Sequence, residues 1–246
     1  MLRFENVFKS YSRRDGVNVA LEDVSLSLDR GRITGVFGPT RAGKSTLLRI
    51  AAGLESADSG TVTYKGEALG QMRASQLRRF RRREIGCVWA GQSWIDGLSA
   101  LEHVALRLLI DDEHHRVADR VAQKLLDLCD VGQCAQADPK ELSEGERRRV
   151  ALARALVSEP RLLLADGLVS DLSSIEQEQI MLLLASLANE SNLAVLITDT
   201  GAASMIRTDS VLFLREGKLL PDNLPNQGGR VYQLPTAPMS RSAADA

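Results

Sequence analysis

The chain has 246 residues and a mass of 26.8 kDa, with 44% of its residues apolar and 26% charged. These proportions are typical of a globular protein that buries a substantial core in one large or two small domains. The 31 basic and 32 acidic residues leave a formal charge of −1, which argues against binding to nucleic acid or anionic lipid through net charge. Three cysteines, an odd number, favour a reduced compartment over a disulfide framework.

No apolar run approaches the ~20 residues that cross a bilayer, and the first residues lack the pattern of a secretion signal. The sequence therefore predicts a cytoplasmic protein. Any membrane role would come through a partner.

Strand-like and helical patterns alternate along the chain, which is typical of βαβ architecture. Short segments near the N-terminus predict an antiparallel layer over residues 2–8, 24–28 and 61–64. Continuous apolar runs, which are typical of parallel strands covered on both faces, lie at residues 33–37, 161–165 and 193–197.

Helical periodicity predicts most of the remaining elements. It covers residues 45–53, a charge-rich stretch at 98–131, and 173–189. Ser173 and Glu176 have the spacing of a capping box at the start of the last helix. After Leu220, prolines and glycines and a Ser/Ala-rich end predict a loosely held tail.

Together these patterns predict an α/β fold. We expect a mainly parallel core sheet flanked by helices, with an antiparallel β layer and a helical subdomain. The expected boundaries are one domain at 1–220, with the helical subdomain at about 91–158, and a tail at 221–246.

A glycine-rich segment between the strand at 33–37 and the helix at 45–53 fits the phosphate-loop pattern G-x-x-x-x-G-K-[ST]. It consists of Gly38, Pro39, Thr40, Arg41, Ala42, Gly43, Lys44 and Ser45, and Thr46 follows in the helix. Backbone N–H groups and the positive end of the helix would cradle phosphates there. Lys44 would reach the outer phosphates, and the Ser45 hydroxyl would bind Mg²⁺.

A second magnesium anchor is expected where an acidic residue ends an apolar strand. Asp166 directly follows the run at 161–165 and meets this requirement. By itself the signal is weak, because an Asp after a strand is more often a turn former.

The segment 142–156 begins L-S-E-G-E and continues as a basic helical stretch. It closely resembles the signature of ATP-binding-cassette (ABC) nucleotide-binding domains, usually L-S-G-G-E/Q. The phosphate loop and Asp166 lie in the matching order, so the resemblance covers roughly residues 1–220. It implies a P-loop NTPase of the ABC type that binds ATP and Mg²⁺. The basic segment at 78–86 further resembles the subgroup serving lipoprotein-release, macrolide-export and cell-division permeases.

In that family two domains close head to tail on two ATP molecules, each held between one subunit's phosphate loop and the other's signature. The resemblance therefore implies that Ser143, Gly145 and Glu146 contact the partner's nucleotide, and that Tyr11 stacks on adenine. The residues themselves agree, because Ser143 and Glu146 form a capping box whose helix would offer free N–H groups to a phosphate. Any capped surface helix would show the same spacing.

The departures from the family pattern are informative. The catalytic Glu that follows the strand Asp is replaced by Gly167, and the Gln expected at position 90 is Ala90, with Gln92 two places later. The expected His after the strand at 193–197 is Asp199, and all three histidines of the chain precede residue 116.

Two family glycines are also replaced, by Arg41 in the phosphate loop and by Glu144 in the signature. Arg41 would either pair with a phosphate or crowd the loop. Glu144 suits the helix dipole but would repel an arriving phosphate. The Asp expected beyond the missing Glu aligns with Ser173, or with Asp171 in a shifted register.

The retained and lost groups predict a subunit that binds Mg-ATP and hydrolyses it slowly, if at all, because losing one general base costs ~10²–10⁴-fold in rate. It would pair with a non-identical, catalytically complete ABC subunit and with permease subunits, peripherally on the cytoplasmic face of a membrane. Two alternatives stay open. One is an active homodimeric exporter ATPase that uses Asp171, Gln92 or Asp199 as substitutes, and the other is a regulator in which ATP toggles association with a membrane protein.

Several other features are interpreted as structural. The arginine-rich run at 78–83 is expected to be a solvated helix face, and 111–115 a polar loop that opens the next helix. Cys129 and Cys134 are expected to be small buried residues, and Trp89 a core residue.

Overall fold

The computed structural model describes residues 1–13, 16–91, 93–201 and 207–220, so the tail expected at 221–246 lies outside the described residues. The strands of the described part are β1 (Leu2–Arg13), β2 (Gly16–Leu28), β3 (Ile33–Phe37), β4 (Ser59–Tyr64), β5 (Glu67–Ala68), β6 (Ile85–Val88), β7 (Leu162–Asp166), β8 (Ala194–Asp199), β9 (Ser210–Arg215) and β10 (Lys218–Leu219). The helices are α1 (Lys44–Ala51), α2 (Ala74–Arg83), α3 (Ala100–Ile110), α4 (His115–Leu128), α5 (Glu144–Leu156) and α6 (Ser174–Ser191).

These strands form two sheets. Four make an antiparallel sheet in the order β2-β1-β4-β5, and six make a second sheet in the order β10-β9-β3-β8-β7-β6. Within the second sheet, β9, β3, β8, β7 and β6 are parallel, and β10 pairs antiparallel at one edge. The predicted α/β fold with a parallel core sheet and an antiparallel layer is confirmed.

Alternate residues of the central strands face two separate cores. On β7, Leu163 and Ala165 pack into a core formed with α3 to α6, whereas Leu162 and Leu164 pack into a core formed with α1 and the antiparallel sheet. Because both faces of the strand are covered, all four side chains are buried and no polar residue alternates with them. This explains the continuous apolar run in the sequence.

The predicted helices are present, and the break expected between two of them is also present. The helical stretch expected at 98–131 consists of α3 and α4, and the polar loop predicted at 111–115 joins them, with Asp112 at φ +64° and α4 beginning at His115. Ser99 caps α3 through a capping box with Glu102, and Ser173 caps α6 through the predicted box with Glu176. Such caps satisfy N–H groups that a helix leaves free at its first turn.

The arginine-rich run lies in α2, whose Phe80 is buried against Tyr64 with ring centroids 4.7 Å apart. Most arginines of this helix are exposed, as expected for a solvated face. Cys129 is fully buried, but Cys134 is only partly buried, and its thiol donates to a Glu146 carboxylate oxygen at 3.3 Å.

Trp89 packs partly buried against the core beside α1. Trp94, in the segment after β6, packs nearly perpendicular to the His103 ring with centroids 5.1 Å apart. The Arg154 guanidinium lies 5.1 Å from the Trp94 ring centroid. These contacts join the segment after β6 to α3 and α5.

Among the described helices, none is both long and apolar enough to cross a bilayer.

The burial of both faces of β7 predicts how truncating its side chains changes the free energy of unfolding. Leu163→Ala removes a fully buried side chain, so we expect the free energy of unfolding to fall by about 2–5 kcal/mol. Leu182→Ala is the matched control, because Leu182 is 47% exposed on α6 and its truncation should change stability by less than about 1 kcal/mol. Urea unfolding measures both, and equal losses would contradict this account of the core.

Candidate functional site

The candidate site lies where three neighbouring parallel strands end. The phosphate-loop segment follows β3, Asp199 ends β8 and Asp166 ends β7, and the strand order β3-β8-β7 makes these ends adjacent. Carboxyl ends of parallel strands meet at the same edge of a sheet, which is the usual ligand position in such folds. The fold therefore gathers at one edge residues that span 161 positions of the sequence, from Gly38 to Asp199.

The phosphate loop is held close to the sheet by two glycines. A Cβ atom at Gly38 would lie 2.0 Å from the Leu214 carbonyl oxygen, and one at Gly43 would lie 2.1 Å from the Ala20 carbonyl oxygen. Gly43 also has φ +108°, in the region that favours glycine. Neither position can carry a side chain without moving the backbone, which explains both glycines of the motif.

Lys44 lies in the wall of the loop and is only 8% exposed. Its Nζ donates hydrogen bonds to the carbonyl oxygens of Gly38 (2.7 Å) and Pro39 (2.9 Å). Burial lowers the pKa of Lys44, and the carboxylates of Asp166 and Asp199 act in the opposite direction. Helix α1 begins at this residue without a side-chain cap, so its positive end faces the loop.

The two expected magnesium ligands are in direct contact. The Ser45 Oγ donates to Asp166 Oδ2 at 2.7 Å, and Thr198 Oγ1 donates to Asp166 Oδ1 at 2.7 Å. An exposed hydroxyl beside a carboxylate offers the hard oxygen ligands that Mg²⁺ prefers, with phosphates and water completing the shell. The described residues contain no cluster of three or more His, Cys, Asp or Glu side chains that would hold a metal by itself. The donor set therefore fits a magnesium ion that arrives with a nucleotide.

Tyr11 lies on β1 and is tied to the start of α1. Its hydroxyl donates to a Glu55 carboxylate oxygen and lies 3.3 Å from Thr46 Oγ1. Burial raises the pKa of Tyr11, and the bond to Glu55 adds to this shift. Lys9 Nζ lies 5.5 Å from the ring centroid, and Lys9 is itself paired with Asp58 at 2.7 Å. The ring is therefore fixed relative to the phosphate loop.

Gly167 and Ala90, where the resemblance implies a Glu and a Gln, are neighbours in space. A Cβ atom at Gly167 would lie 3.9 Å from the Ala90 Cβ, and Gly167 has φ +61°. A Glu at 167 and a Gln at 90 would thus have neighbouring side chains. In this chain neither position carries a polar side chain. Asp171 is exposed with φ +62°, and Gln92 lies outside the described residues.

Asp199 occupies the position of the expected His and is only 5% exposed. Its Oδ1 accepts hydrogen bonds from the main-chain N–H groups of Thr200 (2.5 Å) and Gly201 (3.2 Å). The strand end therefore presents a buried carboxyl group instead of an imidazole.

Arg41 has φ +69°, which explains the glycine that the family usually has at this position. A left-handed conformation costs a non-glycine residue roughly 1–2 kcal/mol. The Arg41 side chain is exposed, so it does not crowd the buried part of the loop.

The signature segment forms the start of α5. Ser143 is its N-cap, its hydroxyl accepts from the Glu146 N–H at 3.3 Å, and the Glu146 carboxylate accepts from the Ser143 N–H at 2.8 Å. The Ser143 hydroxyl also donates to that carboxylate at 2.7 Å, and this bond and the one from the Ser143 N–H lower the pKa of Glu146. Within the described residues they join signature residues to each other and to Cys134, and not to the phosphate loop of the same chain.

Glu144 folds back along α5. Its two carboxylate oxygens pair with Arg147 at 2.9 Å and with Arg148 at 2.8 Å. These pairs offset the negative charge at the helix start. Gly145 beside it is buried, and a Cβ atom there would lie 2.2 Å from a Glu176 carboxylate oxygen of α6.

Sequence reasoning missed two supporting residues, Thr198 and Glu55. Thr198 reaches Asp166 only because the β7–β8 register places the two opposite each other. Glu55 lies 44 residues from Tyr11, and no motif links them. The only sequence feature that could have indicated Thr198 was its hydroxyl at the end of a predicted strand. No sequence feature indicated Glu55.

A family profile described as ABC transporter matches residues 21–170, more than half of the chain. The lipoprotein-releasing system ATP-binding protein LolD of Ruegeria is 35% identical over 220 residues, covering 89% of this chain and 97% of that protein. The methionine import ATP-binding protein MetN of Coxiella burnetii is 34% identical over 225 residues, and this chain spans 91% of its own length but only 64% of that relative. A solved dimeric structure of the ATP-binding cassette MJ0796 bound to ADP and Pi matches with a TM-score of 0.83 and 29% identity, covering 89% of this chain and 96% of that chain.

The fold and the site thus define a P-loop NTPase of the ABC type. The chain belongs to the ABC transporter family, as an ATP-binding domain. That family binds ATP with Mg²⁺, and the loop, Ser45 and Asp166 described above are compatible with both.

The glycine geometry predicts a sharp contrast between two identical substitutions. Gly38→Ala places a Cβ 2.0 Å from backbone, so we expect a loss of about 1–3 kcal/mol in unfolding free energy and a weaker nucleotide affinity. Gly70→Ala meets nothing within 4 Å and should leave both quantities nearly unchanged. Thermal unfolding and titration with Mg-ADP measure the two effects, and a neutral Gly38→Ala would refute the close approach.

Proposed function

We propose that this chain is an ABC subunit that holds Mg-ATP at its phosphate loop and hydrolyses it slowly or not at all at that site. The supporting observation is a contrast at one sheet edge. Ser45 and Asp166 are hydrogen bonded at 2.7 Å, whereas the adjacent positions Ala90 and Gly167 carry no group that orients water. Binding and metal positioning are retained while the groups for water activation are absent.

The proposed nucleotide contacts follow from the geometry of the loop and from family membership. In this chain's own site they are Tyr11, Gly38, Pro39, Thr40, Arg41, Ala42, Gly43, Lys44, Ser45 and Thr46. The loop N–H groups and Lys44 bind phosphates, and the Tyr11 ring stacks on adenine. Ser45 and Asp166 hold the magnesium ion, which when bound neutralises phosphate charge.

We assign no catalytic residue to this site. Phosphoryl transfer requires positioning, charge stabilisation and an oriented water molecule. The absence of one general base slows such reactions by ~10²–10⁴-fold, and Gly167 and Asp199 replace two of the side chains used by the family. Asp171 does not offer an obvious substitute, because it is exposed in a left-handed turn.

The signature of this chain is proposed to complete the site of a second subunit. Ser143, Gly145 and Glu146 lie at the start of α5, where a helix end attracts phosphate. The obstacle expected from Glu144 is reduced, because its carboxylate is paired with Arg147 and Arg148. A phosphate arriving there meets two acidic side chains, Glu144 and Glu146, and the two arginines that pair with Glu144.

The dimeric structure of MJ0796 supports pairing of two ABC subunits, and we infer that the partner is non-identical and carries the catalytic groups missing here. The relatives' names, lipoprotein-releasing system and methionine import, support membership of a transport complex with permease subunits. The chain would lie peripherally on the cytoplasmic face of the membrane through those permeases. Residues 1–220 would form the nucleotide-binding domain, with 91–158 as its helical subdomain.

The first test separates binding from turnover. The purified chain should bind Mg-ATP, and Lys44→Ala should weaken that affinity at least tenfold, because it removes the loop's only lysine. Phosphate release by the isolated wild-type chain should be no faster than that of Lys44→Ala. Robust turnover that Lys44→Ala abolishes would instead favour the self-sufficient homodimer.

The second test addresses the signature. In a complex with a catalytically complete ABC subunit, Ser143→Ala should lower turnover at least tenfold while leaving this chain's own affinity for Mg-ATP unchanged. Ser99→Ala is the matched control, because it removes the same kind of capping box from α3. Each substitution should lower the free energy of unfolding by about 1 kcal/mol through loss of a helix cap. If both variants lowered turnover equally, a specific role for Ser143 would be refuted.

A further inference from the structure

The carboxyl group of Asp199 is buried with one oxygen left without a partner. Oδ1 accepts two main-chain N–H bonds, from Thr200 and Gly201, which fix the position of the group. Oδ2 is buried, and among the described residues none donates a hydrogen bond to it. A buried acceptor without a partner is costly, and more so when it is charged. Residues that carry such a cost are often functional.

Asp199 lies directly beside the phosphate loop. Its main-chain oxygen accepts from the Gly38 N–H at 3.2 Å, and Lys44 Nζ donates to the Gly38 oxygen at 2.7 Å. One residue, Gly38, therefore links the Asp199 backbone to the Lys44 ammonium. Because β8 lies between β3 and β7, Asp199 is also flanked by Asp166 on the other side.

The charges at this edge are unbalanced. Lys44 is the only buried cation of the loop, and it faces two carboxylates, Asp166 and Asp199, because the Arg41 side chain is exposed. A magnesium ion at Ser45 and Asp166 would offset the first carboxylate. Nothing in the described part of the loop offsets the second.

We propose that Asp199 is a specificity-determining residue that disfavours the terminal phosphate of a nucleoside triphosphate relative to a nucleoside diphosphate. This inference rests on the proposed function, in which Lys44 binds the outermost phosphates. A doubly charged terminal phosphate near Lys44 would be repelled by a carboxylate that water screens poorly. A diphosphate ends one phosphate earlier and is repelled less. The affinity of this subunit for ADP relative to ATP would therefore be higher than that of a variant with a neutral residue at position 199.

The test is the ratio of the dissociation constants for a non-hydrolysable Mg-ATP analogue and for Mg-ADP, measured by calorimetry at one pH. Asp199→Asn removes the charge and keeps an oxygen to accept the two N–H bonds. We expect the ratio to fall about tenfold or more, because the triphosphate binds more tightly while ADP affinity changes little. Asp199→Thr removes the same charge with a different shape and should move the ratio in the same direction.

Asp209→Asn is the matched control. Asp209 is paired with Arg32 at 2.7 Å and receives the Ile33 N–H, so it lies at the opposite edge of the same sheet. It loses the same charge and should leave the ratio unchanged. Thermal unfolding verifies that each variant is folded.

The outcomes separate the two proposals. If the wild-type chain binds neither nucleotide, the proposed function fails. If it binds both and the folded Asp199 variants give the wild-type ratio, the specificity role is overturned while the proposed function stands. A change of equal size in Asp209→Asn would also overturn it, because the effect would then reflect net charge alone.

Discussion

The hydrogen bond between Ser45 and Asp166 depends on most of the architecture. One residue opens α1 and the other ends β7, 121 positions later, so the bond requires β8 to lie between β3 and β7. That strand order in turn requires apolar strands covered on both faces, with one core under α3 to α6 and the other under α1 and the antiparallel sheet. A compact pair of oxygen ligands is thus the product of the whole sheet.

In the proposed function, the same sheet edge separates two chemical tasks that the family usually combines. Holding phosphates needs backbone N–H groups, one lysine and a metal anchor, and these are present in close packing at Gly38 and Gly43. Activating water needs a base at the neighbouring strand ends, where this chain has Ala90, Gly167 and the buried Asp199. In the proposed function the first set persists without the second. The two remain linked, because the Gly38 N–H donates to the Asp199 main-chain oxygen and the Thr198 hydroxyl donates to Asp166.

Charge compensation differs between the two ends of the proposed nucleotide interface. In the signature, the carboxylate of Glu144 is paired with two arginines one turn away on the same helix. At position 199 the carboxylate is buried and one oxygen lacks a partner. An exposed charge can be neutralised by flexible neighbours, whereas a buried one acts on whatever binds next to it. The Glu144 carboxylate is therefore compensated within α5, whereas Asp199 Oδ2 has no hydrogen-bond partner among the described residues.

The sequence alone determined the fold class, the phosphate loop and the helix starts, because periodicity, glycine spacing and capping boxes are local properties of the chain. It also singled out positions 90, 167 and 199, on which the proposed loss of hydrolysis rests. Only the tertiary structure decided which of these positions lie close together and which arginines pair with Glu144. It also decided that Thr198 bonds to Asp166 and that Glu55 bonds to Tyr11. Those facts depend on strand order, register and side-chain direction, which arise from contacts between residues far apart in the sequence.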